Sequence, residues 1–356
     1  MSVFKDKFTN TWSFYVRYKN WQGETKQYKR TGFKSQKEAK AKESEFLNKH
    51  TESTDISFAS LVDYYLQDCK ARLKPTTYST KEYIVNLKIL PYFGKLKIID
   101  ITPVKVRTWQ TELMSDPKGY TPTYLKTINN QLSAIMNFAC RLYGLKQNPC
   151  HVTGSMGKKR ADLTNFWTPD EFNKFLSAVS DKPVSKLMFT LLYFSGMRIG
   201  EALALTMDDF DFNKNTVKVS KNYARLHGED LIMPPKTPKS NRTITLPASV
   251  MNLVREYRFR LYDYEPSERL FPNTKSYLEW EMIRGCKLSG VKKIRLHDIR
   301  HSHASMLLEL GTPIKQVSER LGHENIETTL QTYSHLYENK EKELVDKLEN
   351  LCVKHA

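Results

Sequence analysis

Four short stretches carry side chains able to do chemistry. "SGMRIGEALAL" sets Arg198 just after a glycine and just before a helix-forming run. Free backbone N–H groups at such a helix start, together with a guanidinium, can seat an anion. Glu201, three residues on, can brace that arginine, and the plainer alternative is an ordinary surface ion pair. "PPKTPKSNRTITLP" puts Lys236 where a strand enters a turn, so its ammonium can swing over a ligand or simply meet water. "RLHDIRHSHAS" places His297, Arg300 and His301 on one helical face by three- and four-residue spacing. His297, His301 and His303 invite a zinc reading. His303 points to another face, however, and the HExxH arrangement is absent, so no metal is expected. "LGHENIETTLQTYSHL" holds His323, Thr329 and Tyr333 in a stretch that reads as a turn followed by a helix. Taken alone, Tyr333 is a packed aromatic and His323 a cap or core histidine.

In order and residue type, however, these four fragments resemble the active-site set of the tyrosine recombinases, closest to integrases of temperate bacteriophages and conjugative transposons. The resemblance spans residues 166–337 and meets no departure at Arg198, Lys236, His297, Arg300, His323 or Tyr333. Breaking a phosphodiester in line builds negative charge on the nonbridging oxygens, which metal ions or fixed cations must meet. With no carboxylate cluster to hold Mg²⁺, two always-charged guanidinium forks, Arg198 and Arg300, are assigned to the phosphate and His323 to a further hydrogen bond. A phenol, with a pKa near 10, leaves far more readily than an aliphatic alcohol, so a phosphotyrosyl link on Tyr333 is reversible. His297 is the expected base for Tyr333, and Lys236 matches the position of the family's general acid. Glu201, His301 and Thr329 are supports for the set. No cofactor is expected.

The remaining sequence must position these groups. At 356 residues the chain is longer than one core usually serves. With 40% hydrophobic residues and a mean hydropathy of -0.56, it has material for real cores under a charged surface. The fold class expected is multidomain and mainly α. Residues 1–52 alternate apolar and polar side chains through Trp12, Phe14, Val16 and Tyr18, then turn helical, giving a small three-stranded sheet plus helix. Residues 1–50 hold 12 Lys or Arg against 5 Asp or Glu. One face of this sheet should cover its helix and the other lie in a DNA groove. Residues 56–153 carry apolar positions three and four apart, as in Phe58, Leu61, Val62, Tyr65 and Leu66, which predicts a bundle of amphipathic helices with boundaries at Pro75 and Pro91. A Gly- and Lys-bearing linker spans 154–165. The last domain, 166–337, is mixed but mainly α. There "NTVKVSKNY", "DLIMPPKT" and "RTITLP" predict one small antiparallel sheet, and residues 338–356 predict a tail helix striped by Leu344, Val345, Leu348 and Leu351.

A formal charge of +17 favours nucleic acid as partner, with an anionic membrane surface second. No apolar run approaches a membrane span, no secretory h-region opens the chain, and five scattered cysteines fit reduced thiols in a cytoplasmic protein. The resemblance implies double-stranded DNA with arm-type and core-type sites as the substrate. It also implies a homotetramer on DNA linked by the tail in trans, and assistance from an excisionase and a host DNA-bending protein. A type IB topoisomerase or a non-catalytic DNA-binding regulator are the competing readings; the first has no need of a basic N-terminal sheet, the second none of Tyr333. A helix that delivers Tyr333 to a phosphate could also withdraw it, so that segment is expected to be mobile without DNA.

Overall fold

A computed structural model describes residues 3–6, 9, 11–19, 25–50, 56–158, 165–235, 237–333, 345 and 349. Lys236, half of the expected linker (159–164) and all of the expected tail except Val345 and Glu349 fall outside the described residues. The chain divides into two compact units, residues 1–161 and 162–356.

The first unit opens with β1 (Val3–Lys5), β2 (Trp12–Lys19) and β3 (Thr25–Phe33), antiparallel in that order, followed by α1 (Gln36–His50). Strand alternation sends Phe14 and Val16 inward with Phe33 and Ala39, and Tyr28 stacks on Phe46 of α1 at 4.0 Å between ring centroids. The opposite face pairs Tyr15 with Lys29 and Arg17 with Gln27. Sequence periodicity thus sorts the sheet into an apolar face and a basic one.

The helical segment comprises α2 (Phe58–Arg72), α3 (Pro75–Ile84), α4 (Leu90–Phe93), α5 (Pro103–Met114), α6 (Pro122–Leu142) and α7 (Pro149–Thr153). Four of these start on proline, whose missing N–H is an orphan at that position in any helix and whose φ is already helical. The apolar stripes close around Trp109, Ile128, Leu132 and Phe93. Pro91 does not end a helix as expected. Val85–Ile89 widens to a π turn, with Leu90 N–H bonded to Val85 O, which accommodates the proline ring inside an almost continuous helix from Pro75 to Phe93.

The second unit holds α8 (Pro169–Ala178), α9 (Pro183–Ser195), α10 (Ile199–Leu203), β4 (Phe210–Asp211), β5 (Thr216–Val219), β6 (Asn222–Leu226), β7 (Glu229–Met233), β8 (Arg242–Thr245), α11 (Ala248–Arg258), α12 (Lys275–Ser289), α13 (Asp298–Glu309), α14 (Ile314–Leu321) and α15 (Ile326–Tyr333). Thr168 and Glu171 form a reciprocal capping box at α8. Trp167, Phe172, Phe175, Phe189 and Tyr193 fill the centre, Phe172 stacked on Tyr193 at 3.7 Å. The single sheet expected here is two: β4-β5-β8 and a separate β6-β7 hairpin. "NTVKVSKNY" breaks between Val219 and Asn222, where Lys221 turns away to bind Asp209 at 2.7 Å and Thr206 at 3.0 Å. Among the described residues no helix is long and apolar enough to cross a membrane.

Candidate active site

The site is built where four chain ends of the second unit meet. α9 stops at Ser195 because Gly196 takes φ +66°, and a Cβ there would come within 2.5 Å of the His303 ring. The chain then delivers Arg198 to the start of α10, where Glu201 grips it twice. Oε2 accepts the Arg198 backbone N–H at 3.0 Å and Oε1 the guanidinium at 2.8 Å. Arg198 remains about a third exposed, with Ser240 Oγ at 3.4 Å and Gly322 O at 3.5 Å on its other side.

Arg300 comes from the first turn of α13 and is buried. Nη1 donates to Gly196 O at 2.8 Å and Nη2 to Leu321 O at 2.7 Å, so it ties the end of α9 to the end of α14. Burial, with Arg198 and then Arg242 nearby, lowers its pKa to about 9, which leaves it charged at neutral pH. α14 ends because Gly322 adopts φ +69°, and the turn it makes presents His323. Thr329, fully buried on α15, fixes that imidazole by an Oγ1 to Nδ1 contact of 2.7 Å. Burial first, then the Arg300 and Arg198 charges, push His323 down to about 3.

Tyr333 is the last residue of α15. Its ring is buried against Ala304, Leu308, Val317 and Leu321, and its hydroxyl lies 2.5 Å from His301 Nδ1. The tyrosine is therefore docked into the site. Burial raises its pKa while the Arg300 charge opposes the rise. His301, half-buried, is lowered to about 4 by burial and then by His297. His297 stands at the N-cap of α13 with helical φ and ψ, exposed at the rim, its ring at right angles to that of His301 with centroids 5.3 Å apart. Crowding at that rim, then Arg300, lowers His297 as well.

Arg198, Arg300, His323, His301 and Tyr333 are thus brought together, with Glu201 and Thr329 behind them. Lys236 lies outside the described residues. Just beyond it, Lys239 donates to Glu324 O at 2.8 Å, and a cavity of about 770 Å³ is lined by Lys239, Lys315, Gly322 and His323. His303 is structural: buried, it accepts the Arg320 Nε–H at 3.1 Å and packs on Gly196. Among the described residues no three His, Cys, Asp or Glu are placed to hold a metal. Sequence reasoning missed Arg242, whose partners lie 41 and 78 residues away in the chain. It also ranked His301 as a support, although His301 is the histidine that reaches the phenol.

The sequence profile of the Phage integrase family matches residues 165–340, that of the phage integrase N-terminal SAM-like domain residues 57–114, and that of an arm DNA-binding domain residues 2–50. The ICEBs1 integrase of Bacillus subtilis (strain 168) is 32% identical over 319 residues, covering 84% of each chain. The chain belongs to the phage integrase family of tyrosine recombinases, enzymes that cleave and rejoin DNA with a tyrosine nucleophile. Solved relatives share its fold. The Tn1549 transposon integrase in complex with a circular intermediate DNA superposes with a TM-score of 0.70 at 19% identity, covering 82% of this chain and 99% of that one. A lambda integrase dimer bound to a core site gives 0.59 at 17% identity, covering 76% and 96%. As a member of this family, the recombinase acts on DNA on behalf of a mobile element.

Proposed function

We propose that this recombinase integrates its element into the host chromosome by cutting each strand with Tyr333, leaving a 3′-phosphotyrosyl bond that a 5′-hydroxyl of the partner duplex then attacks. The observation that carries this reading is the docking of a buried phenol, hydrogen-bonded to His301, into a pocket already walled by two guanidiniums. Arg198 and Arg300 hold the nonbridging oxygens, and charge developing there in the transition state meets cations that need no rearrangement. His323 donates the further hydrogen bond, its Nδ1 occupied by Thr329 and its Nε2 left for phosphate. A raised phenol pKa means that Tyr333 must lose its proton to a base. His301, neutral at physiological pH, makes the contact, and we assign it the first hold on that proton, with His297 as the adjacent acceptor. The phosphate's own negative charge raises both imidazoles toward the range where they accept a proton. Lys236 protonates the departing 5′-oxygen.

Four protomers assemble on two duplexes, the tail segment linking neighbours, and two react at a time. The basic face of the N-terminal sheet takes arm-type sites, while the helical segment and the catalytic unit take core-type sites. Excision by the same chemistry, directed by an excisionase and aided by a host DNA-bending protein, follows from its reversibility. The reaction takes place in the bacterial cytoplasm. The test is strand exchange. Incubated with two different linear duplexes carrying the element's end and its chromosomal target, the protein should yield joined products of both parents. Relaxation of supercoiled plasmid with no exchange would instead make it a topoisomerase, and binding with neither product a regulator.

A further inference from the structure

We propose that Arg242 is a positioning residue of the active site, which shares the negative charge of Glu201 at its inner oxygen and so keeps the Arg198 guanidinium, held by the outer oxygen, from being drawn wholly onto the carboxylate and away from phosphate. Glu201 is buried and has two oxygens to satisfy. Oε1 faces Arg198, while Oε2 takes Arg242 Nη2 at 2.9 Å beside the Arg198 backbone N–H. These contacts outweigh burial and hold the carboxyl below its usual range, so it carries a full negative charge. Arg242 is only 8% exposed and spends its other donors on backbone, Nε on Arg320 O at 2.8 Å and Nη1 on Ser240 O at 2.9 Å. It therefore reaches no substrate. What it does is join three of the four fragments: the start of α10 through Glu201, the turn after Lys236 through Ser240, and the His323 turn through Arg320.

The contact is close enough to shape the backbone, since a Cβ on Gly322 would meet Arg242 Cδ at 3.1 Å. Without Arg242, an unshared buried carboxylate would draw the Arg198 fork fully onto itself. Phosphate would then compete with Glu201 for the same N–H groups, in a site where charge pairs act strongly. The defect of Arg242 loss is thus carried by the Glu201 charge, and removing that charge should relieve it. A purely structural arginine makes no such demand.

The proposal rests on the reading of Arg198 as a phosphate ligand and on adduct formation by the native chain. It is tested with full-length protein and a nicked core-site duplex that traps the covalent intermediate, with the single-turnover rate and the DNA dissociation constant measured separately. Arg242→Gln should slow adduct formation about a hundredfold, while DNA affinity changes by about threefold or less. Arg242→Lys, which keeps a cation against Oε2, should recover most of the rate. The double variant Glu201→Gln/Arg242→Gln should be about tenfold faster than Arg242→Gln alone, since the charge that traps Arg198 is gone. A double variant no faster than Arg242→Gln, or an Arg242→Gln rate equal to the native one, overturns the proposal. Should Arg242→Gln not fold, judged by thermal unfolding, the Lys variant decides: native-like speed upholds it and a hundredfold loss overturns it. Absence of adduct from the native chain would instead mark the failure of the recombinase chemistry itself.

Discussion

His301 and His323 are held neutral in the DNA-free protein, His301 near 4 and His323 near 3, against about 6.5 in an unfolded chain. Both folded values lie below the unfolded one, so the unfolded state binds more protons below about 6.5. Their contribution to stability is complete above that pH and is lost progressively as pH falls toward 4 and then 3. Thermal unfolding of the free protein should therefore show a melting temperature that drops steeply between about pH 6.5 and 4, by an amount that shrinks in a His301→Gln/His323→Gln variant. DNA reverses the sign, because a phosphate seated on Arg198 and Arg300 favours imidazolium. Calorimetry of core-site binding in buffers of different ionisation heat should detect proton uptake, and affinity should rise as pH is lowered from 8 to 6. Thr329→Val leaves the packing of α15 intact but frees His323 Nδ1, and should slow cleavage about tenfold with little change in DNA affinity.

Helix ends set the geometry on which these side chains depend. Gly196 and Gly322 terminate α9 and α14 in the left-handed region, and Arg300 bonds the carbonyls beside both. Gly196→Ala would combine an unfavourable φ with a Cβ 2.5 Å from His303 and 2.8 Å from Leu321, and should cost about 2–5 kcal/mol in chemical denaturation. The break at Gly196 was legible in "FSGMRIGEA", since a glycine after an apolar run followed by a fresh helical pattern is a local signal. So were the stripes of α2 and α6 and the two faces of the N-terminal sheet. Two things were not. "NTVKVSKNY" alternates through Val217 and Val219 but carries Lys221 where the next apolar residue would stand; there, with Lys221 bound to Asp209, the chain passes from one sheet to another, a change that alternation alone does not announce. The spacing of His297, Arg300 and His301 is likewise equal on paper. His297 stands one turn earlier, at the N-cap, and His301 is the imidazole facing α15.

At the scale of the whole molecule, a formal charge of +17 makes binding a matter of displaced counterions. Arg17 and Lys29 stand on the exposed basic face of the N-terminal sheet, away from its helix. Replacing both with alanine should weaken binding to arm-bearing DNA and lower the slope of log K against log salt by about 2, with cleavage of a short core-site duplex unchanged. Recognition and chemistry would then be separable along the chain, the first spread over many phosphates and the second concentrated in the pocket around Tyr333. That concentration is the central claim, and trapping the covalent intermediate tests it most directly. On a nicked core-site substrate the native protein should accumulate a protein–DNA adduct whose digestion yields a single modified peptide, with the 3′-phosphate on Tyr333. Tyr333→Phe should bind the same DNA and form none. Adduct formed by Tyr333→Phe, or mapped to any other residue in the native chain, would contradict the account.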